Sequence, residues 1–504
     1  MLSKINSCAI VGLQGILVEV EVDVAERGFP TVTIVGLPNK SIDEAKDRVR
    51  TAITNAKYEM PDSRITVNLA PADIPKSGSS FDIPIALGIL ASSGIFNSRE
   101  VQDSIFIGEL SLEGNVRKVP GIISLLLLAK EKNIKKIFLP DENKQEAILL
   151  DDIEIYPIKT ILELILHITG KQKIQPFCPE IATSDTQTII EYDFSSIKGQ
   201  EQAKRALEIA AAGFHNIFLN GPPGAGKTLL SRSFPSILPF MDKHEILEVA
   251  KIYSAVGLLT PEIFQGIRQF RSPHHTTSRV GLIGGGTQPT PGEISLAHRG
   301  VLFLDEFPEF PRTVLESMRQ PLEDGFITVS RAAGTITYPA RFLLLAASNP
   351  CPCGFLTHPT KECICAPGTI VKYKKRLSGP ILDRIDIHIQ VPPVEVDKLS
   401  HISNGESSEV IKKRITKARD IQKNRFKKTQ IQFNSEMKSA DIERFCNIES
   451  EAQLLLKQAV DKLGISARAY FKVIKVAQTI ADLDGRVSLN ASHIGEALQY
   501  RAGG

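Results

Sequence analysis

Hydrophobic and polar residues alternate strictly over residues 18–24 of the chain. In residues 16–24, valines at every second position lie opposite acidic residues, the pattern of a half-buried strand. More strand-like and helical patterns follow in turn, namely strands at 31–35, 64–69 and 136–139 and helices at 41–56 and 82–91. This succession predicts a mixed α/β domain over residues 1–169.

Three further segments follow this first domain. Residues 170–191 are polar, contain two prolines and show no hydrophobic period, so they are predicted to form a linker. Apolar strands separated by helical patterns return in residues 192–395, which predicts a second α/β domain. Residues 396–504 have mainly helical periodicity and are predicted to form a helical C-terminal domain.

A short apolar strand at 216–220 leads into a phosphate-loop sequence that matches G-x-x-x-x-G-K-[ST] at every fixed position. In such loops backbone N–H groups surround phosphate oxygens, the lysine neutralises their charge and the hydroxyl binds Mg²⁺. A plain Gly-Pro turn is the alternative. The predicted nucleotide-binding residues are Gly221, Pro222, Pro223, Gly224, Ala225, Gly226, Lys227, Thr228 and Leu229.

Polar residues end two later apolar runs. Asp305 and Glu306 follow the run 300–304, where Asp305 is predicted to hold Mg²⁺ together with Thr228, and Glu306 to deprotonate the attacking water. Asn349 ends the next run, and its amide is suited to bind the γ-phosphate or its water. The alternative is that Asn349 caps the turn before a proline.

Two arginines are candidates for contacts with the transferred phosphate. Arg384 is predicted to stabilise phosphate charge in a neighbouring subunit. The alternative is a surface ion pair with Asp383 or Asp386. Arg468 begins a helical pattern from which it can reach back to the nucleotide, unless it is only an exposed arginine at the start of a helix.

Chain length and net charge say little about the partners of the protein. With 504 residues, 42% of them hydrophobic, the chain can form several cores. Its 60 basic and 57 acidic residues give a net charge of +3, which neither identifies nor excludes a polyanionic partner. No apolar run approaches the roughly 20 residues of a membrane span, and residues 1–18 lack a signal cleavage site. A cytoplasmic protein without a membrane partner is predicted.

Four of the seven cysteines lie within fifteen positions. Four thiolates are the ligand set of a tetrahedral structural Zn²⁺, which would stabilise the loop 351–365. The predicted ligands are Cys351, Cys353, Cys363 and Cys365. Because the C-x-C spacing is tighter than the usual C-x₂-C, free or redox-active thiols stay an alternative. His358, inside the loop, would be a redundant fifth ligand.

The order of these motifs is more specific than any one of them. Together with the motifs at 272–275, 284–286, 291–300, 349–354 and 378–386, they resemble the magnesium-chelatase-like AAA+ proteins, and from end to end the ComM/YifB family.

The resemblance implies an AAA+ P-loop NTPase core with a helical lid, and a homo-hexameric ring that hydrolyses ATP with Mg²⁺. ComM members are helicases that promote branch migration of DNA during natural transformation. Single-stranded and branched DNA, and recombination proteins, are therefore the implied partners. Two alternatives are a chelatase-type motor that helps to insert Mg²⁺ into a porphyrin, and a Lon-like ATP-dependent protease.

Residues 68–86 and 114–121 resemble the protease domain of Lon, which implies a ribosomal S5 domain 2-like α/β fold for residues 1–169. Ser80 aligns with the nucleophile of such enzymes. The position of their catalytic lysine falls at or near Leu125. A serine without a base is a poor nucleophile, so this domain is predicted to be non-proteolytic and to serve assembly or DNA contact. Lys118 and Lys130, which lie nearby in the sequence, stay open as alternative bases.

Several segments are candidates for DNA contact. By resemblance to related motors, the Gly-rich segment 278–290 and a predicted hairpin at 326–338 face the ring pore. Arg331, near the hairpin tip, can bind a phosphate backbone. The basic run 372–376 is a further candidate, as is the segment 412–428 with nine basic residues and one acid. For the arginine and the long basic segment, solvation is the alternative.

Overall fold

A computed structural model describes residues 2–37, 40–73, 76, 80–150, 153–178, 192–286, 289–331, 334–377, 379–393 and 405–501. The chain folds as two compact units, Met1–Asp185 with Lys243–Phe264 and Thr186–Asp242 with Gln265–Gly504. Most of the predicted linker 170–191 lies outside the described residues. Among the described residues, no helix combines the length and apolar character that crossing a membrane requires.

The first unit contains a mixed seven-stranded sheet in the order β3-β4-β2-β1-β5-β8-β9. The strands of this unit are β1 (Leu2–Val11), β2 (Gln14–Val24), β3 (Thr31–Val35), β4 (Arg64–Ala70), β5 (Ser104–Phe106), β6 (Glu109–Leu110), β7 (Val116–Arg117), β8 (Lys136–Pro140) and β9 (Glu154–Ile158). In β2, Val18, Val20 and Val22 are fully buried, which confirms the predicted alternation.

The helices of the first unit cover the sheet. They are Lys40–Asp43, Ala45–Asn55, Asp82–Ser92, Ile122–Glu131, Ile161–Ile168, Lys243–Ala255 and Pro261–Phe264, with 3₁₀ turns at Ser98–Val101 and Asp141–Leu149. Every residue of helix Asp82–Ser92 is buried, as its apolar sequence requires. The helical pattern predicted over 41–56 forms two helices, because the chain leaves the helix at Glu44.

Residues 243–264 belong to the first unit although the phosphate loop precedes them in sequence. The backbone N–H of Gly121 donates to the carbonyl of Ser254 at 2.7 Å, directly before helix Ile122–Glu131. This grouping differs from the continuous ATPase segment 192–395 that the sequence suggests, because an amphipathic helix does not specify which core will receive its apolar face.

The second unit contains a five-stranded parallel sheet in the order β11-β14-β17-β10-β18. The strands of this unit are β10 (Ile217–Asn220), β11 (Phe270–Arg271), β12 (Gly284–Gly285), β13 (Thr290–Pro291), β14 (Val301–Leu304), β15 (Phe326–Arg331), β16 (Gly334–Pro339), β17 (Leu343–Ser348), β18 (Ile387–Gln390), β19 (Asn447–Ile448) and β20 (Ser488–Leu489). Strands β15 and β16 form the predicted hairpin. The mixed α/β fold class is thus confirmed.

The helices of the second unit are concentrated towards its C-terminus. They are Glu201–Gly213, Lys227–Ile237, Arg279–Ile283, Glu293–Leu296, Arg312–Glu316, Arg319–Asp324, Pro367–Arg376, Gly379–Leu382, Ser408–Arg425, Ser439–Phe445, Ser450–Leu463, Ala467–Leu483 and Ala491–Gln499, with 3₁₀ turns at Phe194–Ser196, Phe307–Glu309 and Asn434–Glu436. The C-terminal part is not helical throughout, since β19 pairs with β20. Val473, Ile474, Ala477 and Ile480 share one core with the sheet.

Candidate nucleotide and metal sites

The inner strand β10 leads directly into the phosphate loop. Its neighbours β17 and β18 run parallel to it, so three carboxyl ends meet around the loop. Helix Lys227–Ile237 begins after Gly226, whose φ of 86° is a left-handed conformation that a side chain would disfavour. The free N–H groups of the first helical turn therefore lie at the edge of the sheet, as a phosphate site requires.

The other predicted loop residues lie in the same turn. The N–H of Gly221 donates to the carbonyl of Ser348 at 3.2 Å, which ties the start of the loop to β17. Ala225 is buried, and its carbonyl accepts from the side-chain amide of Gln200 at 3.1 Å. Leu229, in the first turn of the helix, is 38% exposed. The loop is thus fixed at both of its ends.

The ammonium of Lys227 is buried inside the loop. Its Nζ donates to the carbonyl oxygens of Gly221 at 2.6 Å and Pro222 at 2.9 Å, and to Oδ1 of Asn349 at 3.1 Å. Burial lowers the pKa of Lys227, and the charge of Asp305 opposes that shift. The structure therefore brings the predicted lysine and amide into direct contact across 122 residues of sequence.

A hydroxyl and a carboxylate meet beside this lysine. Thr228 Oγ1 donates to Asp305 Oδ2 at 3.1 Å, and the other oxygen of Asp305 accepts from the N–H of Glu306 at 2.9 Å. Hard oxygen ligands of this kind are what Mg²⁺ prefers, usually with one or two protein oxygens and several waters. The donor set of Thr228 and Asp305 fits that metal.

Glu306 has an unusual backbone conformation and a histidine neighbour. Its φ of 50° is left-handed, which costs a non-glycine residue about 1–3 kcal/mol and is typical of functional sites. The side chain is 56% exposed, and its Oε2 lies 3.4 Å from Nδ1 of His275. Sequence reasoning gave His275 no role. The available signal was its place just after β11, the parallel neighbour of β14.

Arg384 and Arg468 come together at a different part of the second unit. A guanidinium nitrogen of Arg384 bonds to Oε1 of Glu323, and Arg468 Nη2 lies 3.7 Å from the same oxygen. The carboxylate that pairs with Arg384 is thus Glu323 rather than Asp383 or Asp386. The structure shows neither arginine in contact with the phosphate loop.

Both arginines line a cavity of about 1170 Å³. None of the predicted phosphate-loop residues contributes to its lining, and neither do the acid pair or Asn349. The Arg468 side chain is 67% exposed, whereas that of Arg384 is 13% exposed. The predicted site residues therefore form two groups, one at the phosphate loop and one at this cavity.

The four predicted cysteine ligands converge in the loop after β17. Their sulfur atoms all lie within 4.8 Å of one another, and Cys351, Cys353 and Cys363 form a triangle with edges of 3.4, 3.6 and 3.6 Å. A tetrahedral site with Zn–S bonds of about 2.3 Å has sulfur–sulfur edges of about 3.8 Å. A backbone N–H of Phe355 lowers the pKa of Cys353 to about 6. Against the effect of backbone N–H groups, burial and neighbouring thiols raise the pKa of Cys363 to about 12 and also raise the pKa of Cys365. The geometry of the four sulfurs is therefore the observation that fits a metal.

His358 is not part of this sulfur cluster. Its Nδ1 accepts hydrogen bonds from the N–H groups of Thr360 at 3.2 Å and Lys361 at 3.1 Å, and its ring packs edge-on against Phe355. These contacts occupy the ring within its own turn. Four sulfurs are enough ligands for a tetrahedral zinc site, so a histidine ligand is unnecessary.

The long basic segment mainly makes contacts within the second unit. In helix Ser408–Arg425, Arg414 pairs with Glu208 at 2.6 Å and also with Glu406, and Arg425 pairs with Asp482. These arginines link the helix to neighbouring elements, which favours a structural role for much of the segment. The predicted contact by Arg331 concerns a side chain outside the described residues.

Leu125, at or near the position of the catalytic lysine in Lon, lies in an apolar core of the first unit. Leu125 is 1% exposed and lies in the core formed by helix Ile122–Glu131. Directly after Ser80, Phe81 and Asp82 are fully buried. At or near the position of the catalytic lysine of Lon, this chain therefore has the buried Leu125.

The fold and these contacts define a class: the chain is an α/β protein with a phosphate-loop motif at the carboxyl edge of a parallel sheet. Three family models match successive parts of it. They are the models described as "Magnesium chelatase, subunit ChlI" at residues 193–399, "Subunit ChlI of Mg-chelatase" at 20–143 and "Magnesium chelatase, subunit ChlI C-terminal" at 405–501.

Relatives that match over the full length identify the family more closely. Competence protein ComM of Haemophilus influenzae is 43% identical over 505 residues, covering 99% of this chain and 97% of the relative. Protein YifB of Escherichia coli is 42% identical over 502 residues, with the same coverage. Lon protease 2 of Bacillus subtilis is 31% identical over 198 residues, or 35% of each chain. The chain belongs to the ComM/YifB family of magnesium-chelatase-like AAA+ proteins.

Proposed function

We propose that this protein is an ATP-driven DNA motor that works as a hexameric ring and promotes branch migration. The observation that carries the ATP-driven part of the proposal is the contact cluster of Lys227, Thr228, Asp305 and Asn349 at the carboxyl edge of one parallel sheet. In this account the second unit is an AAA+ ATPase core with a helical lid.

Each residue of the cluster has a role in ATP hydrolysis. Lys227 exchanges its loop carbonyls for phosphate oxygens and neutralises their charge, while Asn349 orients the γ-phosphate or the attacking water. Glu306, held beside His275, accepts a proton from that water. Thr228 and Asp305 would hold Mg²⁺, which would supply neutralisation of the phosphate charge.

Arg384 and Arg468 complete the site of a neighbouring subunit. Support comes from their shared position on Glu323 at a cavity that no phosphate-loop residue lines. The buried Nε of Arg384 has no hydrogen-bond partner within the described part of the chain. A guanidinium placed in this way can meet the phosphate of a second copy and stabilise the transferred charge.

The proposal that this motor moves along DNA is based on its family membership. The relative named competence protein ComM covers the chain almost completely. The family resemblance implies that the motor acts on branched DNA. The hairpin β15–β16 and the basic helix Pro367–Arg376, which ends in Lys374, Lys375 and Arg376, are the candidate contacts. Sequence-independent binding to phosphates by such residues suits a motor that must move along any DNA.

ATP hydrolysis with and without DNA tests the proposal. We expect forked DNA to stimulate hydrolysis by the wild type, and Glu306→Gln to bind ATP without hydrolysing it. Arg384→Ala should bind ATP normally but lose on the order of 10³-fold in turnover, as removal of a charge-stabilising arginine does. Hydrolysis that is indifferent to every DNA tested would contradict DNA as the track.

A further inference from the structure

The four-cysteine loop is joined to the nucleotide site at both of its ends. Asn349, which touches Lys227, is only two residues before the fully buried Cys351. At the other end, Tyr373 is buried in the helix that follows Cys365. Burial raises the pKa of Tyr373 to about 12, and the backbone of Asn349 is close enough to its hydroxyl to oppose that shift. The loop thus begins and ends against the same residue of the site.

Between these ends, the loop packs directly on the phosphate loop. Gly354 has a φ of 83°, and a Cβ built on it would lie 2.4 Å from Cδ and 2.9 Å from Cγ of Pro223. Its N–H donates to the carbonyl of Cys351 at 2.9 Å, which makes Gly354 part of the turn that positions the first two sulfurs. A change in the cysteine turn is therefore transmitted to the phosphate loop by direct contact.

Little other than the cysteines can hold this turn in place. Residues 350–366, all of which the structure describes, form turns and bends without helix or strand. A segment of this kind gains order when four ligands close around a metal, because metal binding then contributes to folding. The tip is polar or exposed, and Ile364, between the last two cysteines, is 88% exposed.

We propose that a Zn²⁺ bound by the four cysteines supports the phosphate loop, so that metal occupancy controls nucleotide affinity. This inference rests on the proposed nucleotide-binding function. The closed thiolate shell holds Gly354 against Pro223 and fixes the start of the turn next to Asn349. Loss of the metal releases both contacts. The metal has no part in hydrolysis itself, since its four ligand positions are filled by sulfur.

A pair of glycine substitutions tests the contact while leaving all four thiols intact. Gly354→Ala should retain about one zinc per chain but weaken the binding of a fluorescent ATP analogue by about tenfold or more, because displaced binding groups lose affinity steeply with distance. The matched control is Gly485→Ala, at a glycine with a similarly left-handed φ of 68° where an added Cβ meets nothing within 4 Å. This control should bind the analogue as the wild type does.

Metal removal provides the second arm. Cys353→Ser should lose zinc and nucleotide affinity together, and chelator-treated wild type should regain affinity when Zn²⁺ is returned. Zinc content and thermal unfolding, measured on every variant, separate a local change from global misfolding. If zinc-free wild type or folded Gly354→Ala binds the analogue as tightly as untreated wild type, the inference is wrong. If untreated wild type itself does not bind nucleotide, the proposed function fails instead.

Discussion

At the scale of single residues, the candidate site is a set of polar groups that satisfy one another. Burying an ammonium without partners is costly, and Lys227 avoids that cost through three oxygen acceptors. Asp305 likewise accepts one hydrogen bond at each oxygen. These are hydrogen bonds between side chains and loop groups, so in the proposed mechanism phosphate oxygens and Mg²⁺ would take their place without rearranging the sheet.

His275 is predicted to act as a positioning residue for Glu306. His275→Ala removes the ring that lies 3.4 Å from the carboxylate, so Glu306 should sample more orientations. We expect kcat for ATP hydrolysis to fall by about tenfold while the dissociation constant for ATP is unchanged, which is the behaviour of a group that acts only on the chemical step. Steady-state kinetics and equilibrium binding measure the two quantities.

The adjacent histidine is the control for this experiment. His274 bonds to Thr276 at 2.8 Å and stacks on His275, but its contacts do not include Glu306. His274→Ala should therefore keep more of the turnover than His275→Ala. Equal loss of turnover in both variants would show that the effect comes from the contact between the two histidines. Unchanged turnover in His275→Ala would show that His275 does not position Glu306.

The sequence predicted the site residues that belong to contiguous motifs. Lys227 and Thr228 follow from the spacing of one loop, and Asp305 and Asn349 from strands that end in polar residues. The contact between His275 and Glu306 joins the ends of two strands, and it depends on the sheet order β11-β14, which spacing alone does not specify. The pairing of Arg384 with Glu323 is equally non-local.

At the scale of elements, a buried ion pair joins two helices of the first unit. Arg48 of helix Ala45–Asn55 donates from Nε and Nη2 to the carboxylate of Asp82 at 2.8 and 3.0 Å. Asp82 is fully buried and also accepts from the N–H of Leu110 at 3.0 Å. Burial raises the pKa of Asp82, and Arg48 opposes that shift.

Removing the arginine should destabilise the first unit. Arg48→Ala leaves an uncompensated buried carboxylate, so the free energy of unfolding should fall by about 3–5 kcal/mol. Without Arg48 the folded-state pKa of Asp82 rises further above its unfolded value. The protonated form then favours folding, so the deficit should shrink as the pH falls from 8 to 5. Denaturant unfolding at several pH values measures this.

The neighbouring exposed arginine is the control for this pair. Arg50 lies on the same helix with its side chain towards solvent, so Arg50→Ala should change stability by no more than about 0.5 kcal/mol and without the pH trend. A deficit in Arg48→Ala that grows as the pH falls would contradict the account of a buried charge.

Elements were predictable where their own sequence decides them. The hairpin β15–β16 follows from alternation around a glycine turn, and β2 from its valines. The break at Glu44 was missed, because its local sequence resembles uninterrupted helix. Sheet order was also beyond reach, because pairing partners such as β10 and β17 are far apart in sequence and many orders satisfy the same apolar patterns.

At the scale of the molecule, packing decides which unit a helix joins and whether its charged side chains form internal ion pairs. Helix Lys243–Ala255 groups with the first unit, although it follows the phosphate loop closely in the sequence. The basic helix Ser408–Arg425 uses Arg414 and Arg425 for internal ion pairs. Composition could not reveal either outcome, since both depend on which surface each helix covers.

The central claim is that ATP hydrolysis at the phosphate loop moves DNA. It is tested most directly by incubating purified wild type with a labelled four-way DNA junction, with ATP and Mg²⁺, and measuring the exchange of arms over time. Glu306→Gln is the matched control, because it keeps the nucleotide site but loses the proton acceptor. The account predicts branch movement by the wild type and none by Glu306→Gln. A wild type that hydrolyses ATP yet never moves the branch would contradict it.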